Sequence, residues 1–402
     1  MPGKKQVKKE ERYRLRSSAS PKREKLTTSN LIRIFGQVDR PFLIIVVILI
    51  CIGSVMVFSS SYAYASQRYG DSYYFAKRQI EFLILGVIAM AFTSYYADTR
   101  LMKKFTWLFY AVTIFLNFAI FIPGFGVKVN GAYRWLDLYV VQIQPSELLK
   151  LAVILACAKY ISDHQGEMRT FKKGFLPFVL IGIPMLMAVL AQKHLSGTLI
   201  CCGILFFMMY VGGTHPLLLG GIAGTGAVGV AIVANFWSHV QIRLQVWKDP
   251  FEFLSGSGKG WQPAQSLLAI ASGGFWGLGL GKSNQKHSFL PEPQNDYIFA
   301  IICEELGLFG AGLIMICYML FAWRGYIIAK NSNDRFGSLV VLGLIFKTML
   351  QVVLNIAVVT NTLPSTGITL PFMSYGGSSL ITQLIEIGII LSVSRYSYSS
   401  RN

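Results

Sequence analysis

Apolar residues run in long blocks from residue 41 onward, parted by polar segments rich in Gly, Pro and charge. A helix that crosses the bilayer needs about 20 mostly apolar residues, because each adds about 1.5 Å across about 30 Å of hydrocarbon. Blocks of suitable size fall near residues 41–62, 78–96, 105–122, 147–161, 175–192, 195–211, 216–236, 297–323, 338–360 and 379–395. The pattern predicts an all-α integral membrane protein with about ten transmembrane helices. Residues 41–395 then form one polytopic membrane domain, followed by a short tail at 396–402.

Two segments between blocks, 123–146 and 237–296, are too long to be plain connectors. The second holds apolar and amphipathic pieces such as QSLLAI, which predict short helices at the membrane surface. Its glycine-rich run at 272–281 (SGGFWGLGLG) lets the backbone turn sharply or approach a ligand closely; packing of a re-entrant loop is the alternative.

Charge orients these elements. With the N-terminus inside, the inner loops carry Arg100, Lys103 and Lys104, then Lys159, Arg169, Lys172 and Lys173, then Arg324, Lys330 and Arg335, with Arg395 and Arg401 at the end. This is the positive-inside bias, and it predicts two cytoplasmic termini and a large extracellular loop, 237–296, between spans 7 and 8. Lys77 and Arg78 fall on the outer side against that bias, where a base is free to serve a substrate. Residues 1–40 are strongly basic and poor in apolar residues, so they are expected to be a disordered cytoplasmic tail held near anionic lipid. The first apolar run starts too late for a signal peptide, and no folded basic module follows the tail, so nucleic acid is not expected as a partner.

Composition excludes a soluble protein: 53% of residues are hydrophobic and only 14% charged, against about 25% charged in soluble domains. The six cysteines lie in apolar blocks without ligand spacing and read as small core residues.

The sharpest chemistry lies at residues 290–307 (LPEPQNDYIFAIICEELG), where Asp296, Glu304 and Glu305 stand at the mouth of an apolar block. Lys282, Lys286 and His287 precede them. A carboxylate at mid-membrane costs about 2.5–3.5 kcal/mol on insertion scales, so each acid needs a use or a partner. Glu304 and Glu305 would lie about 12–14 Å deeper along a helix than Asp296. They are therefore expected to be structural, one of them pairing with a base inside the bundle. Glu147 and Lys150 share a helix face at i and i+3, either as an intrahelical pair or reaching toward a groove. Lys347 and Glu386 sit at equal depth in neighbouring blocks, which predicts an interhelical ion pair, with Gln351 and Asn355 continuing the polar stripe.

Four motif groups in this order resemble the SEDS family (shape, elongation, division and sporulation) of bacterial peptidoglycan polymerases. They are NGAYRW at 130–135 with QPSELLK at 144–150; RLQVWKDP at 243–250 with QSLLAIASGGFWGLGLGKSNQK at 265–286; the stretch at 290–307; and LPSTGITLPFMSYGGSS at 363–379. They span nearly the whole chain from about residue 40. The PFMSYGGSS form and the ending IILSVSRYS resemble the division and sporulation branch rather than the elongation branch.

The resemblance implies a peptidoglycan glycosyltransferase of the plasma membrane, at the division septum or in spore wall synthesis. It would polymerise lipid II into β-1,4 glycan strands beside a class B penicillin-binding protein transpeptidase and other divisome membrane proteins. It implies Asp296 as the base, or as the group that positions the acceptor hydroxyl; an N-cap for the following helix is the alternative. Arg134, Arg243, Lys282 and Lys286 would meet the departing pyrophosphate, unless they are solvated loop bases. Gln265, Ser266, Ser374, Tyr375, Ser378 and Ser379 would contact substrate. Trp135, Glu147, Lys150, Glu304, Glu305, Lys347 and Glu386 would support the site. No cofactor is evident and the sequence has no dedicated metal cage, although pyrophosphate and a carboxylate both favour a hard divalent cation, Mg2+ or Mn2+. The chain departs from the family pattern at Gln294-Asn295, where His-Thr is usual, and at His194, where an acid is common. Two other readings remain: a lipid II flippase, which needs a polar path to both faces, and a non-catalytic division scaffold recruiting partners through its basic tail.

Overall fold

The computed structural model describes residues 38–129, 132–137, 142–236, 238–253, 260–287 and 289–399, so most of the expected basic tail lies outside the described residues. The helices are α1 (Arg40–Tyr69), α2 (Tyr74–Tyr96), α3 (Thr99–Ala119), α4 (Pro145–Asp163), α5 (Phe171–Gly174), α6 (Leu176–Ala191) and α7 (Leu195–Gly212). They continue with α8 (Pro216–Phe236), α9 (Ser238–Lys248), α10 (Trp261–Gly273), α11 (Ile298–Lys330), α12 (Arg335–Val359) and α13 (Gly377–Ser399). Among the described residues, six helical stretches are long and apolar enough to cross a membrane, or seven if α2 and α3, bent by 117° at their junction, are taken as one. The protein is thus a helical multi-span membrane protein.

Two departures from the sequence expectation stand out. Part of the 123–146 segment is a small antiparallel sheet, β1 (Gly126–Val129), β2 (Ala132–Asp137) and β3 (Gln142–Ile143), so the chain is not wholly α-helical. The 147–161 block, now α4, is buried from Pro145 to Ala158 on almost every side, against α3, α7 and α12. A helix enclosed by other helices can carry Glu147 and Lys150 at its outer end, because protein groups rather than lipid meet those charges.

The end of the bundle where α1 begins is tied at Asp39. Its carboxylate caps α1 by accepting from the Phe42 N–H at 3.0 Å, and it accepts from Arg324 Nε and Nη2 at 2.9 and 2.8 Å. One side chain therefore both starts α1 and anchors it to α11. Large apolar side chains stay exposed along the outer faces, among them Ile84, Ile88 and Phe92 on α2 and Leu313, Met319 and Trp323 on α11. A contiguous apolar exterior of this kind fits contact with lipid.

Helix α11 is broken at Gly307, whose φ of 69° and ψ of −174° no helix permits. The freed backbone groups find partners in the segment after α10. The Glu304 and Glu305 carbonyls accept from Leu278 and Gly279 N–H, both at 2.9 Å; Leu308 and Phe309 N–H donate to Gly274 and Phe275 carbonyls, both at 3.0 Å. The exchange brings the glycine-rich segment down to the level of the break and satisfies backbone that lipid could not. Glycine is required there: a Cβ on Gly307 would stand 2.3 Å from Gly277 N.

Candidate active site

A cleft of about 960 Å3 opens where the end of α1, the start of α2, strand β2, the start of α4 and three loops meet. Asp296, Arg134, Trp135, Glu147, Tyr375, Ser378 and Ser379, all singled out from the sequence, line it together. Gly376 and Gly377, at the start of α13, border it too.

Asp296 lies just before the start of α11 but does not cap it: the N-cap is Tyr297, which makes no side-chain capping bond. The cap alternative is thereby removed. Asp296 is half-buried. Burial raises its carboxyl to about 6, its own backbone N–H and Arg243 pull it down, and Glu292 pushes it up. The group is therefore mostly ionised at neutral pH yet more basic than an ordinary Asp. Gly367, at φ +72°, faces it closely enough that a Cβ there would lie 3.7 Å from Asp296 Oδ2. The main chain is fixed from behind, because Asn355 Nδ2 donates to the Asp296 carbonyl at 2.6 Å and to Ile368 O at 2.6 Å.

The cations divide. Arg134 borders the cleft, with Nη2 donating to Lys193 O at 2.9 Å. Burial, then Arg243, lowers its pKa. Arg243, on α9, donates to Ser365 O at 2.9 Å and acts on Asp296 from outside the cleft lining. Lys282 is exposed and away from the lining. Lys286 is not a solvent-facing cation: it is buried, with Nζ 2.9 Å from Glu305 Oε1. The broken helix explains this, since the loop that crosses the break carries Lys286 to the level of Glu305.

Glu304 and Glu305 are buried and fully engaged, as expected of structural acids. Glu305 also accepts from Ser59 Oγ at 2.6 Å. Glu304 accepts from the Asn284 N–H at 3.0 Å and from Ser283 Oγ. The base that pairs with Glu305 comes from the loop rather than from within the bundle. Lys347 Nζ donates to both Glu386 oxygens at 2.7 Å, so the interhelical pair is present. Lys150 Nζ donates to Glu147 at 2.7 Å, and this intrahelical pair sits at the cleft wall.

Three residues expected to touch substrate are turned elsewhere. Gln265 and Ser266 are buried on α10, where Ser266 Oγ donates to Val359 O at 2.7 Å. Ser374 Oγ accepts from the Leu370 N–H at 2.8 Å inside its own turn. The two hydroxyls, of Ser266 and Ser374, serve backbone partners, as buried hydroxyls usually do. Ser378 and Ser379 border the cleft while accepting from Gln144 N–H at 3.3 Å and Gln383 Nε2 at 2.9 Å.

Other members of the lining were not among the residues expected to hold the substrate or support the site. Arg78 stacks over Tyr74, 4.9 Å from the ring centroid, and lines the cleft with Tyr375. Its signal was the break in positive-inside bias. Arg68 donates to Tyr64 OH at 2.8 Å and had no such signal. His194 and Gln294 also line the cleft. Among the described residues no group of three or more His, Cys, Asp or Glu side chains is placed to hold a metal ion.

The FtsW/RodA/SpoVE family profile, described as cell cycle protein, matches residues 40–399. Stage V sporulation protein E of Bacillus subtilis is 40% identical over 363 residues, 89% of this chain and 97% of that protein. The "Probable peptidoglycan glycosyltransferase FtsW" of Geobacter sulfurreducens is 36% identical over 368 residues, 89% of this chain and 95% of that protein. Among solved structures, a chain of a peptidoglycan synthase complex that coordinates polymerization and crosslinking superposes with a TM-score of 0.74 at 25% identity, covering 90% of this chain and 98% of that one. The rod shape determining protein RodA of Thermus thermophilus gives 0.65 at 25% identity, covering 90% and 99%.

Proposed function

We infer the reaction from one premise: the chain belongs to the FtsW/RodA/SpoVE family of cell cycle proteins, the SEDS family. It is a peptidoglycan glycosyltransferase of the FtsW/SpoVE type, serving septal or spore wall synthesis. The observation that carries the assignment of its active site is the placement of Asp296, more basic than usual, in the same cleft as Arg68, Arg78 and Arg134.

In the reaction proposed, the acceptor is the GlcNAc 4-hydroxyl of lipid II and the donor is the growing strand on undecaprenyl pyrophosphate. Asp296 takes the hydroxyl proton as the oxygen's electron pair forms the bond to the donor C1. The bond from C1 to the pyrophosphate oxygen breaks on the opposite side, giving inversion and a β-1,4 link. Pyrophosphate leaves with that electron pair. Arg134, with Arg68 and Arg78 at the rim, offers planar donors suited to its oxygens. Tyr375, Ser378 and Ser379 offer hydroxyls to the sugars. A divalent cation, Mg2+ or Mn2+, would supply further charge neutralisation at the pyrophosphate when bound.

The proposal includes ten spans, both termini cytoplasmic and residues 237–296 outside, which puts Asp296 on the face where lipid-linked sugars are polymerised. It also includes a class B penicillin-binding protein as partner, other divisome membrane proteins, and residence at the septal plasma membrane. The test is purified protein with its transpeptidase partner and labelled lipid II. Glycan strands that persist when the transpeptidase is blocked, and vanish with Asp296→Asn, are the expected result. No strands with any partner would remove the assignment.

A further inference from the structure

Apart from Glu147 Oε2, which faces Lys150 Nζ at 2.7 Å, two buried polar atoms of the cleft lining lack hydrogen-bond partners among the described residues: Nδ1 of His194 and Oε1 of Gln294. Gln294 is 1% exposed, and its main chain is held by the Tyr375 N–H, which donates to its carbonyl at 2.8 Å. His194 precedes α7 without capping it, and its ring lies over Gly197, where a Cβ would come within 2.7 Å of Nδ1. Both side chains are thus fixed by local backbone while their polar atoms remain unused. Leaving one such atom unpaired costs about 1–3 kcal/mol, so two on the wall of one cleft call for a ligand that pairs them.

We propose that His194 and Gln294 are specificity-determining residues that read the hydroxyl- and acetamido-bearing face of the saccharide bound beside Asp296. The groups around His194 decide the chemistry of what it takes. Burial, then Arg134 and Lys150, push the imidazole down to about 3 against the opposing pull of Glu147. The ring is therefore neutral, and a neutral imidazole presents one donor and one acceptor nitrogen. A sugar hydroxyl satisfies either tautomer. Gln294 Oε1 accepts, which suits a hydroxyl or an acetamido N–H. An ionic ligand group would find no counter-charge in either side chain.

This inference rests on the cleft being the glycan-polymerising site, and its test separates the two. Labelled lipid II is titrated onto the full chain in nanodiscs, without turnover, and polymerisation is measured in parallel as KM and kcat. His194→Leu and Gln294→Leu are expected to weaken lipid II binding and raise KM about 3- to 10-fold each, with kcat little changed. His194→Asn and Gln294→Glu, which keep an acceptor, are expected to bind within about 2-fold of the parent. A purely structural role would lower the thermal midpoint and kcat together and would not be restored by the polar replacements. If the parent polymerises lipid II and the leucine variants bind it as the parent does, this inference falls and the reaction stands. If nothing polymerises but binding still tracks the leucine and polar pairs, the reaction falls and the sugar-reading role stands.

Discussion

Asn355, at the end of the polar stripe of α12, donates a 2.6 Å hydrogen bond to the main-chain carbonyl of Asp296. The same amide donates to Ile368 O, so one side chain fixes both the loop that carries the acid and the loop that faces it. Asn355→Leu would leave two carbonyls without their donor. The expected outcome is a fall of about 2–4 kcal/mol in stability, read from the thermal midpoint, and a loss of polymerisation beyond what the folded fraction explains. Asn355→Asp, which has no donor when ionised, should not restore either.

Asp296→Asn is expected to lower polymerisation by about 10²–10⁴, the usual worth of a positioned general base. With the acid near 6, kcat/KM should rise with pH through that value and level off above it, as the carboxylate becomes free to take a proton. A pH–rate profile on lipid II checks this.

The same group predicts a stability change of opposite sense. The folded carboxyl titrates near 6 against an ordinary 3.8, so the fold binds this proton more tightly than the unfolded chain does. Its contribution is fully present below about pH 4 and is lost as pH rises through 6. Asp296→Asn should therefore raise the thermal midpoint at pH 7.5, by up to about 3 kcal/mol before discounting for water in the cleft. That gain should close at pH 4. Equal midpoints at both pH values would contradict it.

Lys286 and Glu305 form a buried ion pair 2.9 Å apart that pins the glycine-rich loop to the break in α11. Removing one partner strands a buried charge, at about 3–5 kcal/mol. Lys286→Met and Glu305→Gln are each expected to destabilise strongly, and the double variant to recover part of the loss in a double-mutant cycle. Lys347→Met and Glu386→Leu should couple in the same way between α12 and α13.

Gly307→Ala asks an L-residue to hold a φ of 69° with its Cβ 2.3 Å from Gly277 N. Melting or limited proteolysis should show the segment at 274–286 released and polymerisation lost with it, because that segment is hydrogen-bonded to α11, which begins two residues after Asp296.

The sequence by itself determined the membrane class, the apolar blocks and the family, and it pointed to Asp296 as the candidate acid. Those follow from local properties: run length, charge bias and motif order. It also reached the pair Lys347–Glu386, because equal depth in neighbouring helices is legible from residue count. Only the tertiary structure decided which polar residues face the cleft. Lys286 was legible as a base but not as a buried one, since its depth depends on a helix break that exposes backbone acceptors for a distant loop. Gln265, Ser266 and Ser374 were legible as polar residues in the right motifs, yet their direction depends on which carbonyl or N–H lies nearest after folding. Arg68, His194 and Gln294 reach the cleft from segments far apart in sequence. Proximity of that kind is set by packing across helices, which no local pattern encodes.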